Sequence, residues 1–445
     1  MGIAFSEARH AVTRFEVGQP ETTGNVVRLH YAAMGDTAPI YRFSEEIEIA
    51  AELEDSPLVD GLVRLLALAA SLSYYKAFAP TAFAVPSGLT ETERAFISQL
   101  ITGGLGEFAI VNDLPAVLDP VIDAPVANDP VKMPAAIPAG TRALVAVGGG
   151  KDSIVSIEAL TSAGIDVGLF AINPRGPIES TARVAGIELE RATRRIDPLL
   201  LRLNGEGAPN GHVPVTAINS LIALITAVAT GYGTVVFSNE ASASYGNQRW
   251  AGRDINHQWS KSSEFEGLLR RSLPAGAPEY VSLLRPITEI RIARRFAEHT
   301  AYHSVFTSCN RAFRMSAAAD ATWCGDCPKC RFVFLILAPF VSREALLTIF
   351  GGRDLFADDD QTEGFLELLG VDGLFKPFEC VGEPDECRVA LDLVRNRDDW
   401  AGHPFFERPE VAAVRATDAE RESVFAWRGS EHFLPGELEA VAREI

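Results

Sequence analysis

Gly148-Gly149-Gly150-Lys151-Asp152-Ser153 is the stretch of this chain best suited to hold an anion. Consecutive glycines let the backbone approach a ligand closely and turn its N–H groups inward. The apolar run 143–147 precedes the loop as a strand, and a helix is expected over Ser153–Ala163. The loop therefore sits at a helix N-terminus, with its partial positive charge. Lys151 adds a full charge, Asp152 is placed to hold a magnesium ion against phosphates, and Ser153 can donate to a phosphate oxygen. The pattern is not the nucleoside-triphosphatase loop, because Asp follows the lysine, and it is not G-x-G-x-x-G. A plain turn at a strand end would not need Lys-Asp-Ser in register.

Cys324-Gly-Asp-Cys327-Pro-Lys-Cys330 holds two successive C-x2-C spacings, and Cys309 lies upstream. Four thiolates are the preferred set of a closed tetrahedral zinc site, and each C-x2-C turn lets two sulfurs reach one metal. A redox pair would not need the fourth cysteine. An iron–sulfur cluster is compatible with the spacing, and four unrelated buried thiols are the plainest alternative. Cys380 and Cys387 lie outside this cluster. Both read as ordinary thiols, or, for Cys380, as a reactive thiol near a substrate.

A third group is polar. Asn239, Glu240, Asn247, His257 and Lys261 follow an expected strand at 234–238. Open α/β sheets bind ligands at the carboxyl ends of their strands. Each residue alone is an ordinary loop residue, whereas the group reads as a site. Glu240, His257, Lys261 and Cys380 are the candidates by type for moving a proton.

The elements that must position these residues follow from periodicity. Stretches 26–33 and 41–50 alternate as strands, 58–78 carries helical spacing, and Thr90 with Glu93 makes a capping box. Pro and Asp accumulate over 114–140 as a linker. From Thr141 the order is strand, glycine loop, helix and a second apolar strand at 167–173. Such a unit implies parallel strands with a right-handed crossover. Helices near 178–185, 214–230 and 288–299 and strands at 234–238 and 281–284 extend it into a doubly wound α/β domain. The expected organisation is an N-terminal α+β domain (1–135), a nucleotide-binding domain (141–305), a four-cysteine element (306–342) and a mainly helical region (343–445). Val213–Asn239 carries no charge and could span a bilayer by length. Pro214, Asn219 and the Gly231-Tyr232-Gly233 break make it a buried helix, a turn and a strand instead.

The net charge of −19 repels a polyanion, and no extended basic stripe is present outside Arg291–Arg295. Neither nucleic acid nor membrane is an expected partner. Six cysteines in 445 residues do not make a disulfide scaffold, and the N-terminus lacks the basic and apolar regions of a signal peptide. A reducing, cytoplasmic setting is expected.

The glycine loop resembles the SGGxDS loop of the ATP pyrophosphatases, which cleave ATP between its α- and β-phosphates. Gly148 stands where that family usually has Ser, so one donor is missing or comes from elsewhere. The resemblance implies an adenine-nucleotide alpha-hydrolase fold, with Phe170–Asn173 offering atoms to adenine. Asn239 is a further expected nucleotide contact, and a zinc element after the nucleotide domain occurs in several such enzymes.

A narrower resemblance covers most of the chain. Segments 147–153, 210–220, 238–247, 255–266, 307–310 and 323–334, with Ser73–Lys76 and Pro377–Gly382 in the flanks, resemble one bacterial family. That family is the ATP-dependent epimerase of UDP-N-acetylmuramoyl-L-alanyl-L-glutamate. The resemblance implies ATP and magnesium as requirements, an acyl-adenylate intermediate, AMP and diphosphate as products, and a place in peptidoglycan precursor synthesis. It also implies functional pairing with a ligase that adds L-glutamate. Two other readings share the loop: an RNA-modifying ATP pyrophosphatase, disfavoured by the charge, and a nucleotide-binding regulator without turnover.

Overall fold

The strand–loop–helix–strand unit expected around the glycine loop is present in the computed structural model. The structure describes residues 5–128, 142–246, 248–312, 322–371, 377, 379–429 and 432–445. Asn247 and the expected domain boundary at 135–141 lie outside the described residues. The fold is mixed α/β, with a large sheet and many helices. The chain divides into two units that alternate along the sequence. One takes 1–144, 190–235 and 248–280; the other takes 145–189, 236–247 and 281–445.

In the first unit the strand order is Leu189–Arg195, Pro39–Glu48, Val26–Met34, Arg14–Val17, Ala82–Ala84 and Val121–Asp123. The long pair Val26–Met34 and Pro39–Glu48 is antiparallel, matching the alternation in both segments. Leu189–Arg195 runs antiparallel to Pro39–Glu48, with Glu46 opposite Arg195 and Glu48 opposite Thr193. The 22-residue helix Pro57–Phe78 starts at Ser56, whose side chain accepts from Val59 N–H, with Pro57 in the first turn. It is long and apolar enough to cross a membrane, but 78% of its apolar window is buried inside the protein. It packs against the uncharged helix Val215–Thr230, which Gly231 ends in the left-handed conformation (φ 75°). The strand Thr234–Phe237 follows, so the uncharged stretch is a core helix, a turn and a strand. The Thr90–Glu93 capping box is formed.

The strands Glu279–Ser282, Thr234–Phe237 and Arg142–Ala146, each divided between the two units, lie in that order and are followed by Asp166–Ile172 of the second unit. The bonds Glu279 N–H to Gly233 O and Leu283 N–H to Phe237 O, both 2.9 Å, keep a constant offset, so that pair is parallel. Arg142–Ala146 and Asp166–Ile172 are joined by the helix Lys151–Ser162, with Val147 N–H on Phe170 O at 2.8 Å. Beyond Ser282 the described residues form helices and turns around an aromatic core. Phe356 stacks on Phe405 at 4.7 Å, and Trp400 and Phe334 meet Phe356 edge-on.

Candidate functional site

The glycine loop is shaped by three different demands. Gly149 has φ 77°, and a Cβ there would meet Pro177 and Ile178 at 3.2–3.3 Å. Gly150 occupies the N-cap of Lys151–Ser162, and no side chain caps that helix. A Cβ on Gly150 would lie 2.7 Å from Ser308 Oγ. Gly148 is different, because a Cβ there meets nothing within 4 Å. An uncapped helix start behind a crowded glycine turn leaves backbone donors for an anion. The Ser153 hydroxyl turns back to donate to Gly150 O at 3.1 Å.

Lys151 is 1% exposed and contacts Asp152 Oδ1 and Glu289 Oε2. Burial works against its charge, but the two carboxylates outweigh burial and hold the ammonium above its ordinary value. Glu289 is pushed up to about 8 by burial, with Asp152 and Glu240 adding and Lys151 and Lys329 opposing. Two carboxylates facing one ammonium in a buried place cannot both ionise cheaply. The backbone N–H of Glu289 donates to Glu386 Oε1 at 2.6 Å, and Glu386 is itself raised to about 7 by burial. Arg285 donates to Glu240 O at 2.9 Å and to Ser282 Oγ at 3.3 Å. Asn239 donates to Ser282 Oγ at 2.9 Å. Asn173 is exposed at the end of its strand with φ 47°. Cys380 offers its carbonyl to the Lys329 ammonium.

The sulfurs of Cys309, Cys324, Cys327 and Cys330 all lie within 4.8 Å of one another. Cys330 Sγ is 3.5 Å from Cys327 Sγ and 3.7 Å from Cys324 Sγ. Four sulfurs at about 2.3 Å from one zinc would stand roughly 3.8 Å apart, so this donor set fits a tetrahedral metal. Gly325 makes the first C-x2-C turn with φ 66°, and Asp326 N–H donates to Cys324 Sγ at 3.4 Å.

His257 and Lys261 belong to the first unit, whereas the glycine loop, Asn239, Glu240, Cys380 and the four cysteines belong to the second. In the first unit His257 Nδ1 contacts Glu107 Oε2, and His212 Nδ1 lies 3.7 Å from the same oxygen. The two imidazoles are 4.5 Å apart between centroids. Burial pushes His212 down to about 4, with the charges of His257 and Lys261 adding and Glu107 opposing. Lys76 donates to Asn210 Oδ1, and burial lowers it to about 8.

Sequence reasoning missed Glu289, Arg285, Lys329 and Ser308 in the second unit and Glu107 in the first. Glu289 reads from sequence as an ordinary first-turn acid of its helix. Lys76, Asn210 and His212 stood in segments singled out for resemblance, yet no role was assigned to them.

A model of the MurL N-terminal domain matches residues 5–283, and one of the MurL C-terminal domain matches residues 305–424. The chain belongs to the MurL family. Three relatives of this MurL-family chain carry the name UDP-N-acetyl-alpha-D-muramoyl-L-alanyl-L-glutamate epimerase. One from a Micromonospora species is 48% identical over 394 residues, covering 86% of each chain. One from Salinispora tropica is 50% identical over 383 residues, covering 84% of this chain and 80% of the relative. One from Xanthomonas oryzae pv. oryzae is 41% identical over 389 residues, covering 85% of each. No solved structure matches the chain.

Proposed function

We propose that this chain is an isomerase that inverts the terminal glutamate of UDP-N-acetylmuramoyl-L-alanyl-L-glutamate, driven by cleavage of ATP to AMP and diphosphate. The relatives' activity supports the reaction. The observation that carries the ATP chemistry is the uncapped helix start behind Gly148–Gly150, with Lys151 buried beside it. The nucleotide domain would then be of the adenine-nucleotide alpha-hydrolase type.

The α-hydrogen beside a carboxylate is hardly acidic, because its removal builds a second negative charge next to the first. Attack of the glutamate α-carboxylate on the α-phosphorus of ATP breaks the bond to the β-phosphate and releases diphosphate. The acyl-adenylate lacks the carboxylate charge, so its carbonyl can take up electron density when a base removes the α-proton. A proton returns to the other face of the planar carbon. Water then cleaves the adenylate, giving the D-glutamyl product and AMP.

Backbone donors of the glycine loop and the Lys151 ammonium would stabilise charge on the phosphates. Asp152, partly exposed beside the loop, is an oxygen ligand suited to magnesium, which when bound neutralises the departing diphosphate. Cys309, Cys324, Cys327 and Cys330 would hold a structural zinc ion. The substrate is a UDP-linked precursor, so the reaction belongs in the cytoplasm, after a ligase that adds L-glutamate.

The test is incubation with magnesium-ATP and the UDP-linked L-Ala-L-Glu substrate in deuterium oxide. The expected outcome is substrate-dependent diphosphate release with an inverted glutamate carrying deuterium at its α-carbon. Without substrate-dependent diphosphate the epimerase reading fails. An ATP-dependent reaction with RNA, or ATP binding without turnover, would then replace it.

A further inference from the structure

Glu107, His212 and His257 come from three separate stretches of the first unit. Glu107 is in the short helix Gly106–Val111. His212 leads into the helix Val215–Thr230, and His257 lies between the strand Arg253–Ile255 and the turn Trp259–Lys261. All three are half-buried, and one ligand atom from each lies within 4.8 Å of the other two.

We propose that Glu107, His212 and His257 bind a divalent transition metal, separate from the four-cysteine centre and with a coordination position left open. Two imidazoles and a carboxylate are a ligand set of zinc sites that keep a fourth position for water or substrate. Nitrogen donors select zinc-class ions over magnesium and calcium, which take oxygen ligands. The geometry separates this from a simple histidine–carboxylate relay. His212 Nδ1 stands 3.7 Å from Glu107 Oε2, too far for a hydrogen bond. That separation is near the roughly 3.4 Å edge between nitrogen and oxygen ligands held about 2.1 Å from one ion. A relay needs one imidazole on the carboxylate, whereas here two turn the same ring nitrogen toward one oxygen.

The surroundings indicate what the open position takes. Lys261 brings a positive charge near His212, and Lys76 is held by Asn210, two residues before His212. Cations around a metal suit an anionic oxygen ligand, a phosphate or a carboxylate. The inference does not depend on the epimerase reading, since metal binding is measured without turnover.

The test is titration of the metal-stripped full chain with cobalt(II), followed by its visible spectrum. The expected result is one equivalent with intense sulfur-to-metal charge transfer from the cysteines, and a second with only the weak bands of nitrogen and oxygen ligands. Glu107→Gln and His212→Gln should remove the second equivalent and leave the first. The proposal is overturned if wild-type titration stops at the thiolate-type equivalent, or if both folded variants keep the second. A wild-type titration that stops at the first equivalent overturns the proposal even if the variants fail to fold. Inorganic phosphate added to the cobalt-loaded protein should perturb only the weak bands.

Discussion

Thr307 donates its backbone N–H to the Gly149 carbonyl at 2.9 Å. The Thr307 hydroxyl accepts from Cys309 N–H at 3.1 Å and donates to Thr322 O at 2.8 Å. The chain entering the first cysteine is thus bonded both to the glycine loop and to the chain entering the second. A metal held by the four sulfurs would therefore fix the loop as well as its own element. Stripping that metal, or Cys327→Ser, should weaken ATP binding by about 10–100-fold, the usual cost of losing support around a site. Calorimetric titration with a non-hydrolysable ATP analogue measures this. Unchanged affinity in metal-free protein would make the cysteine element an independent module.

Ser308 Oγ lies 2.7 Å from where a Gly150 Cβ would stand. It is a hydroxyl delivered to the loop from another segment, and Gly148 lacks the one that resemblance would put there. If Ser308 supplies the missing donor, Ser308→Ala should weaken ATP binding by about 10–100-fold, the cost of a hydrogen bond to a charged group. Gly148→Ser has open space for its Cβ, so it should recover much of that loss in the double variant. Failure of the double variant to recover any affinity would end this assignment.

Local features were legible in the sequence, and long-range ones were not. The Thr90–Glu93 box, the glycine loop between strand and helix, and the uncharged helix with its Gly231 stop are written in neighbouring residues. The strand Leu189–Arg195 (LERATRR) was not legible, because its charges argue against a sheet. It is held by Arg194, which reaches the fully buried Glu45 with Nε at 2.6 Å and Nη2 at 3.3 Å, an ion pair no local pattern announces. The same limit hid Glu289, which meets Lys151 only after folding.

Glu289 gives the protein a defined response to pH. Its carboxyl is raised from 4.5 to about 8, so the folded state holds a proton that the unfolded chain has already lost. The stability it contributes is complete below about 4.5 and is lost as pH rises through about 8. Ionisation also places another negative charge beside the loop, so ATP affinity should fall over the upper part of that range. In Glu289→Gln both trends should flatten between pH 5 and 9, read as unfolding midpoints and ATP affinity. Identical pH profiles in the two proteins would show that Glu289 is already ionised throughout.

Lys151 has two roles that substitution can separate. It contacts Asp152 and Glu289 in the folded protein, and in the proposed reaction it would face the phosphates of ATP. At alkaline pH, where Glu289 is ionised, Lys151→Met keeps the side-chain bulk but leaves that buried carboxylate without its cation, a loss of about 3–5 kcal/mol. Adding Glu289→Gln removes the unpaired charge, so at that pH stability should partly return in the double variant. Diphosphate release should not return, because the charge that stabilises the departing phosphates is still missing. A loss of about 10²–10³-fold is expected in both variants, the scale of removing one preorganised stabilising group. Thermal unfolding and a coupled diphosphate assay read the two effects separately. Recovery of diphosphate release together with stability would reduce Lys151 to a structural residue.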